Sequence, residues 1–386
     1  MQAPLLSPNR IHTLDSLRGL ASLQVLFHHC FLVSVLFYNA YANPIDRTEH
    51  NSLIQLFTFS PAHIIWAGQE AVTFFFILSG FVLSLPYYRN KAGSYPSFLV
   101  KRIFRIYLPY LVTLGIGFLL NAVYNQHARI ENLSPWLNEF YRSPVSGSEM
   151  LSLMFRMTGR FDNVVTSLWS LPIELKISLI FPFIAFILNR ANIFYSFLVL
   201  FLNLVIIHGG TRLGFDKMVL EYNLFYYLTF FLIGAILSKY HHHIQPVVEN
   251  STLGMGIPLF ILAITLYTFS WNIQQLPNTY LRMAAKIPRD YVVSIASVII
   301  IVLGTSDKFG SWLKNKYLAK LGEISFSLYL IHPLVIGIIA FQFGQILPPY
   351  LIVIIAFFLS LILALPFYNV VEFPLQKLGK KLSKDL

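Results

Sequence analysis

The sequence predicts an all-α polytopic membrane protein, a bundle of about ten transmembrane helices with both termini cytoplasmic, and three observations carry that prediction. Of the 386 residues, 56% are apolar and only 12% charged, whereas soluble domains run near about 25% charged. Apolar runs of about 20 residues, the length that crosses a bilayer, recur along the chain. The basic residues lie in short segments between those runs, so the net charge of +11 reads as membrane orientation and gives no reason to expect a nucleic-acid partner.

The runs fall near 14–38, 66–88, 104–124, 168–188, 192–207, 222–238, 253–270, 291–304, 324–345 and 350–371, within a single domain spanning 1–386. An even number of spans puts both ends on one side. With the N-terminus inside, 17 Lys and Arg lie inside and 10 outside, with Lys176 left within a span. Arg10, Arg18, Arg89, Lys101, Arg190, Lys239 and the lysines of 308–320 and 377–384 are in the inside set. The segment 282–289, with Arg282, Lys286 and Arg289, runs against the trend.

Two connections stand out. The extracytoplasmic loop 125–165 contains "SPWLNEFYRSPVSGSEM", with Trp136 and Tyr141; loops of that length often act as lids or binding loops, the plain alternative being a surface excursion. The tail 372–386 is short and basic. The single Cys30 rules out an intramolecular disulfide and any CxxC site. It reads as a small buried hydrophobe, because its neighbour His29 points elsewhere on a helix. "HHH" at 241–243 looks like a metal tract but reads as a solvated loop, and no metal site is expected.

The polar residues inside apolar runs carry the chemistry, since hydrocarbon disfavours them unless they face a polar interior. In "LDSLRGLASLQVLFHH", Arg18 and His29 are eleven residues apart. They share one helix face and sit about 16 Å apart along the axis. Arg18 is expected near the cytoplasmic surface, with His29 about halfway into the hydrocarbon. That spacing suits an elongated ligand with an anionic end, and histidine suits proton transfer near neutral pH. A buried, bonded histidine and a snorkelling arginine are the plain alternative. Arg102 and Arg105 of "KRIFRIYLPYL" share a face at the inner end of the third run. They suit phosphate, or serve only as an orientation signal. Glu174 of "TSLWSLPIELK" is an intramembrane carboxylate that could orient a histidine or bind a hydroxyl. Ser79 and Gly80 permit close helix approach, and Glu70 is expected near the outer surface. Tyr329 and His332 share a face of "GEISFSLYLIHPLV" as a substrate contact or a core polar network, with Pro333 expected to kink the helix unless neighbours repair the backbone.

Taken together these blocks resemble the acyltransferase-3 family of integral membrane acyltransferases, over nearly the whole chain. "LDSLRGLASLQVLFHH" looks like the family's opening Arg-x10-His signature, and "FFFILSGFVL", "KRIFRIYLPYL", "LWSLPIEL" and "SFSLYLIHP" resemble later blocks in the expected order. Pro172 stands where many members have serine. The resemblance implies acyl transfer, usually of acetyl from cytoplasmic acetyl-CoA, to a hydroxyl of a sugar or cell-surface glycan. The acceptor is expected to be a glycan, its lipid-linked precursor or a small molecule. His29, Arg18 and Glu174 are implied as catalytic, and Arg102 and Arg105 as donor-binding. Tyr329, His332 and Ser79 remain candidates for substrate contact or a core network. No tightly bound cofactor is implied, and polysaccharide-assembly proteins are possible partners. The implied setting is a bacterial inner membrane, and the chain looks like a stand-alone member without an esterase-like extracytoplasmic domain. A polytopic transporter or flippase with a buried polar site is the competing reading, and the lack of visible internal repeats counts against it.

Overall fold

A helix lies over each of the ten apolar runs in the computed structural model, which describes residues 11–43, 50–125, 127–212, 220–273, 289–384 and 386. Arg10, Arg282 and Lys286 of the charge census fall outside these residues. In chain order the long helices are α1 (His12–Leu32), α2 (Gly68–Tyr88), α3 (Tyr95–Tyr124), α4 (Ser170–Arg190) and α5 (Ile193–Arg212). Then follow α6 (Leu220–Asn250), α7 (Leu253–Tyr267), α8 (Arg289–Thr305), α9 (Lys316–Phe343) and α10 (Pro349–Leu382). Among the described residues the only β pairing is a single bridge between Ser34 and Leu133. Five helices, α2, α3, α4 with its leading turn, α9 and α10, are long and apolar enough to cross a membrane. Phenylalanines on the outside of the bundle, such as Phe194, Phe201 and Phe358, are more than half exposed, as suits a lipid-facing surface.

Four boundaries differ from the sequence reading, each for a local reason. The first run does not continue to 38: α1 stops at Leu32, and Ser34 is extended before a short helix, Val35–Ala42. The carbonyls left open at that helix end are taken by the long loop. Ser134 donates its hydroxyl to the Leu32 carbonyl at 2.5 Å and its N–H to Val33 at 3.0 Å. The third run starts earlier, at Tyr95, because Ser94 caps the Ser97 N–H and Pro96 fits the first turn. α6 runs unbroken through 241–243 to Asn250, so the three histidines are helical rather than in a loop. There His241 Nε2 lies 2.9 Å from the Thr305 hydroxyl. Finally, α10 passes through a wide turn, Tyr368–Glu372, into Phe373–Leu382, so the tail is helical.

α1 packs between α9 and α2. Gly19 and Gly322 bring the backbones of α1 and α9 together: a Cβ on Gly19 would sit 2.7 Å from the Gly322 nitrogen. Such glycine contacts are how membrane helices approach closely. α2 and α6 meet in the same way, with Gly80 against the Phe231 backbone and Gly234 against the Ile77 carbonyl. Contacts made by Arg18 with Ser325 and by His29 with His332 run in the same order along α1 and α9, so these two helices are parallel.

Candidate active site

His29 sits one turn before the end of α1, against α9. α1 stops at Leu32 rather than running on to 38, which leaves His29 near its end. Its Nδ1 is 2.6 Å from His332 Nε2, and His332 Nδ1 is 2.9 Å from the Leu328 carbonyl. A carbonyl only accepts, so His332 Nδ1 carries a hydrogen and the neutral ring accepts at Nε2. His29 therefore donates from Nδ1, which leaves a lone pair on its Nε2. The two ring planes are 15° apart, so the bond runs close to both planes. Trp136, from the long loop, lies parallel to His29 at 5.2 Å between ring centres. The loop thus closes over the histidine, as a lid would.

Pro333 leaves α9 unbroken. It supplies no N–H to the Tyr329 carbonyl one turn back, and Ser167 fills that vacancy with its hydroxyl at 3.1 Å. In return the Tyr329 phenol donates to the Ser167 carbonyl at 2.7 Å and lies 2.7 Å from the Ser170 hydroxyl. Both serines lead into or begin α4, so "TSLWSLPIEL" and "SFSLYLIHP" lock together. Pro172 falls in the first turn of α4, where backbone N–H groups have no helical partner, and is accommodated without a break.

His29 and Tyr329 line a cavity of about 440 Å³, together with His28, Trp136, Trp169 and Tyr227. His28 is tied instead to another partner, its Nδ1 3.2 Å from the Trp66 carbonyl. One wall is charged: Arg289 Nε donates to Asp290 Oδ1 at 3.1 Å and lies 3.9 Å from Glu70 Oε1. Arg289 also donates to Gln69, whose amide donates to the Tyr41 phenol. Tyr226 donates to Asp290 Oδ2 at 2.7 Å, and the Trp271 N–H to Glu70 at 3.1 Å. Glu70, in the first turn of α2, is 1% exposed and paired. Burial pushes the Tyr41 phenol up to about 12, so its proton stays in place. Sequence reasoning used Arg289 only for orientation and passed over Asp290. The available signal was an adjacent base and acid opening the eighth run.

The remaining candidates gather toward the other end of α1. Arg18 Nη2 bonds Asp15 at 2.8 Å and reaches the Gly322 carbonyl at 3.4 Å, while its Nε reaches Ser325 at 3.2 Å. Arg102 is 8% exposed and stacks over Phe98, 5.5 Å from the ring centre. It feels the charges of Arg105 and Glu174 but has no hydrogen-bond or ion-pair partner among the described residues. Arg105 is exposed. The wide turn Ile103–Tyr107 separates the two arginines that regular helical spacing would align, which corrects the shared-face expectation. Glu372, bonded by Ser327, feels both Arg105 and Arg18. Glu174 accepts from Ser79 at 3.2 Å and lies near Arg102 and Tyr329; among the described residues it bonds no histidine. Arg18, Arg102, Arg105, Glu174 and Ser79 all stand outside the cavity lining.

The two ends of α1 thus carry a neutral, lone-pair-bearing histidine and Arg18, whose neighbour Glu372 also feels Arg105 of α3. The profile of a family described as "Acyltransferase domain", acyltransferase-3, matches residues 11–369. The chain belongs to the acyltransferase-3 family. Membership accounts for the order of its blocks and makes it an integral membrane acyltransferase. Among relatives, a protein of Haemophilus influenzae described as uncharacterized is 25% identical over 187 residues, covering 44% of this chain and 74% of that one. No solved structure matches.

Proposed function

We propose that this acyltransferase-3 member moves an acyl group, acetyl in the first instance, from cytoplasmic acyl-CoA to a hydroxyl of a sugar, a cell-surface glycan or its lipid-linked precursor. In this reading ten helices cross a bacterial inner membrane, both termini are cytoplasmic, and the cavity opens toward the outer side. Polysaccharide-assembly proteins would present or remove the acceptor. The observation that carries the reading is the chain from the Leu328 carbonyl through His332 to His29, which leaves a basic nitrogen on a ring that lines the cavity.

Donor phosphates meet Arg18, Arg102 and Arg105, since guanidinium groups match phosphate oxygens. Buried Arg102, with no bonded partner among the described residues, is the strongest receptor of the three. The pantetheine arm then covers the separation of about 16 Å set by helical rise between Arg18 and His29. His29 Nε2 takes the acceptor hydroxyl proton as that oxygen bonds to the thioester carbonyl carbon. The carbon–sulfur bond breaks, and CoA leaves as the thiol with the proton from His29. A placed general base contributes roughly 10²- to 10⁴-fold to such a step. Glu174 acts from the donor end, where it faces Arg102.

The test is the ester-linked acyl content of host surface glycans, by mild alkaline release and mass spectrometry. Deletion of the gene is compared with complementation by wild type and by His29→Ala at matched expression. Wild type restores a specific O-acyl ester and His29→Ala does not. Full restoration by His29→Ala overturns the mechanism. An unchanged ester content in every strain overturns the assignment of a surface-glycan acceptor and favours a carrier.

A further inference from the structure

The acyltransferase reading leaves open what the charged wall of the cavity recognises. Two ionisable side chains of opposite sign, Arg289 and Asp290, line it beside Gln69. Asp290 spends one lone pair of each oxygen on Arg289 and Tyr226. A carboxylate offers about four such sites, so each oxygen can still accept a hydroxyl hydrogen. Arg289 donates through Nε to Asp290 and through one terminal nitrogen to Gln69, and its other N–H groups have no bonded partner among the described residues. The wall therefore offers an acceptor and a donor fork side by side, the complement of two neighbouring hydroxyls. Aromatic rings of Trp136, Trp169 and Tyr227 supply the remaining walls. They suit the apolar face of a sugar ring. A volume of about 440 Å³ is in the range of small-molecule sites and accepts one ring with its substituents.

Charge narrows the choice. Behind Arg289 lies the buried carboxylate of Glu70, so this corner holds two acids and one base. An acidic ring would meet Asp290 beside an Arg289 already shared between Asp290 and Glu70, and like-charge juxtaposition is how a site rejects the wrong ligand. Resting on the acyltransferase reading, we propose that Arg289, Asp290 and Gln69 form the acceptor subsite and select an uncharged sugar ring by a vicinal diol. The ring is held against Trp136 so that a further hydroxyl faces His29.

The experiment uses the full chain purified into nanodiscs and follows tryptophan fluorescence with methyl hexopyranosides of gluco, galacto and manno configuration. Methyl glucuronide and a hexose 6-phosphate are the charged comparisons, with acetyl-CoA binding measured in parallel. At least one uncharged glycoside binds wild type at least tenfold tighter than either acidic sugar. Asp290→Asn, which keeps shape and removes charge, weakens that binding at least tenfold and narrows the gap to the acidic sugars. Gln69→Ala weakens it less. Acetyl-CoA binding is unchanged in both variants, which also shows that they are folded. Equal or tighter binding of an acidic sugar, indifference to Asp290→Asn, or no binding by any glycoside overturns the subsite. Failure of the underlying reading has a separate signature: Asp290-dependent glycoside binding without acetyl-CoA binding or transfer, as expected of a carrier.

Discussion

Arg18 and His29 lie on the same helix and face the same partner, α9, yet their surroundings are opposite in kind. Around Arg18 the neighbours are ionic: Asp15, Glu372, Arg105 and, beyond, Arg102 with Glu174. Around His29 they are neutral rings and a carbonyl-anchored hydrogen bond, with Trp136 closing over the top. Fixed charge serves where a ligand arrives charged, and a neutral ring of defined tautomer serves where a proton moves. One helix, about 16 Å of rise, separates the two tasks.

The largest expected effect tests the neutral end. His29→Ala removes the group that takes the proton, and transfer in vesicles with labelled acetyl-CoA falls by roughly 10²- to 10⁴-fold while acetyl-CoA binding persists. Equal loss of binding would merge the two ends into one site. His332 is a positioning residue, acting through His29. His332→Ala lowers kcat by roughly tenfold to a hundredfold, the scale seen when a partner that orients a functional imidazole is removed. In His332→Gln the amide oxygen can still accept from His29 Nδ1, so this variant recovers much of the rate. If Ala and Gln behave alike, the tautomer argument fails and His332 only fills space.

The charged end responds differently. Arg102→Ala raises the KM for acyl-CoA by roughly 10- to 100-fold with kcat less affected, since hydrogen bonds to a charged partner contribute about 1.5–3 kcal/mol. Arg18→Ala has a smaller effect, because Arg18 already spends its donors on Asp15, Ser325 and Gly322. A fall in kcat at fixed KM in either variant would place these arginines in the chemical step.

Much of this comparison was legible in the residues. Composition and the apolar runs gave the helical membrane class, and Arg18 and His29 stood out because hydrocarbon disfavours them. Helical spacing put them on one face, and α9 meets that face. The His29–His332 contact was not legible, because it joins residues 303 apart across the α1–α9 packing in which Gly19 and Gly322 meet. The position of His29 near a helix end escaped the pattern too: Val33 and Ser34 are apolar and small, and the carbonyls at that end are bonded by Ser134, far along the sequence. Arg102 and Arg105 went astray because a wide turn has no periodic signature in the sequence. Arg289 was read as charge to be counted and Asp290 was passed over, when the two are partners lining a cavity.

The smallest expected effect is the sharpest probe of where the dividing line falls. Ser79 donates to Glu174 at 3.2 Å from a helix that also lines the cavity through Thr73. Glu174 in turn feels Arg102 on one side and lies near the Tyr329 ring on the other. If Glu174 belongs to the donor end, Ser79→Ala loosens the carboxylate that faces Arg102. The bond is long and Glu174 only half-buried, so the loss is about 0.5–1 kcal/mol, a KM for acyl-CoA raised roughly two- to fivefold. The same variant leaves kcat and acceptor KM alone, because Tyr329 keeps its bonds to Ser170 and the Ser167 carbonyl. If kcat falls instead, the carboxylate acts through Tyr329 on the cavity, and the ionic end of α1 extends to the histidine after all.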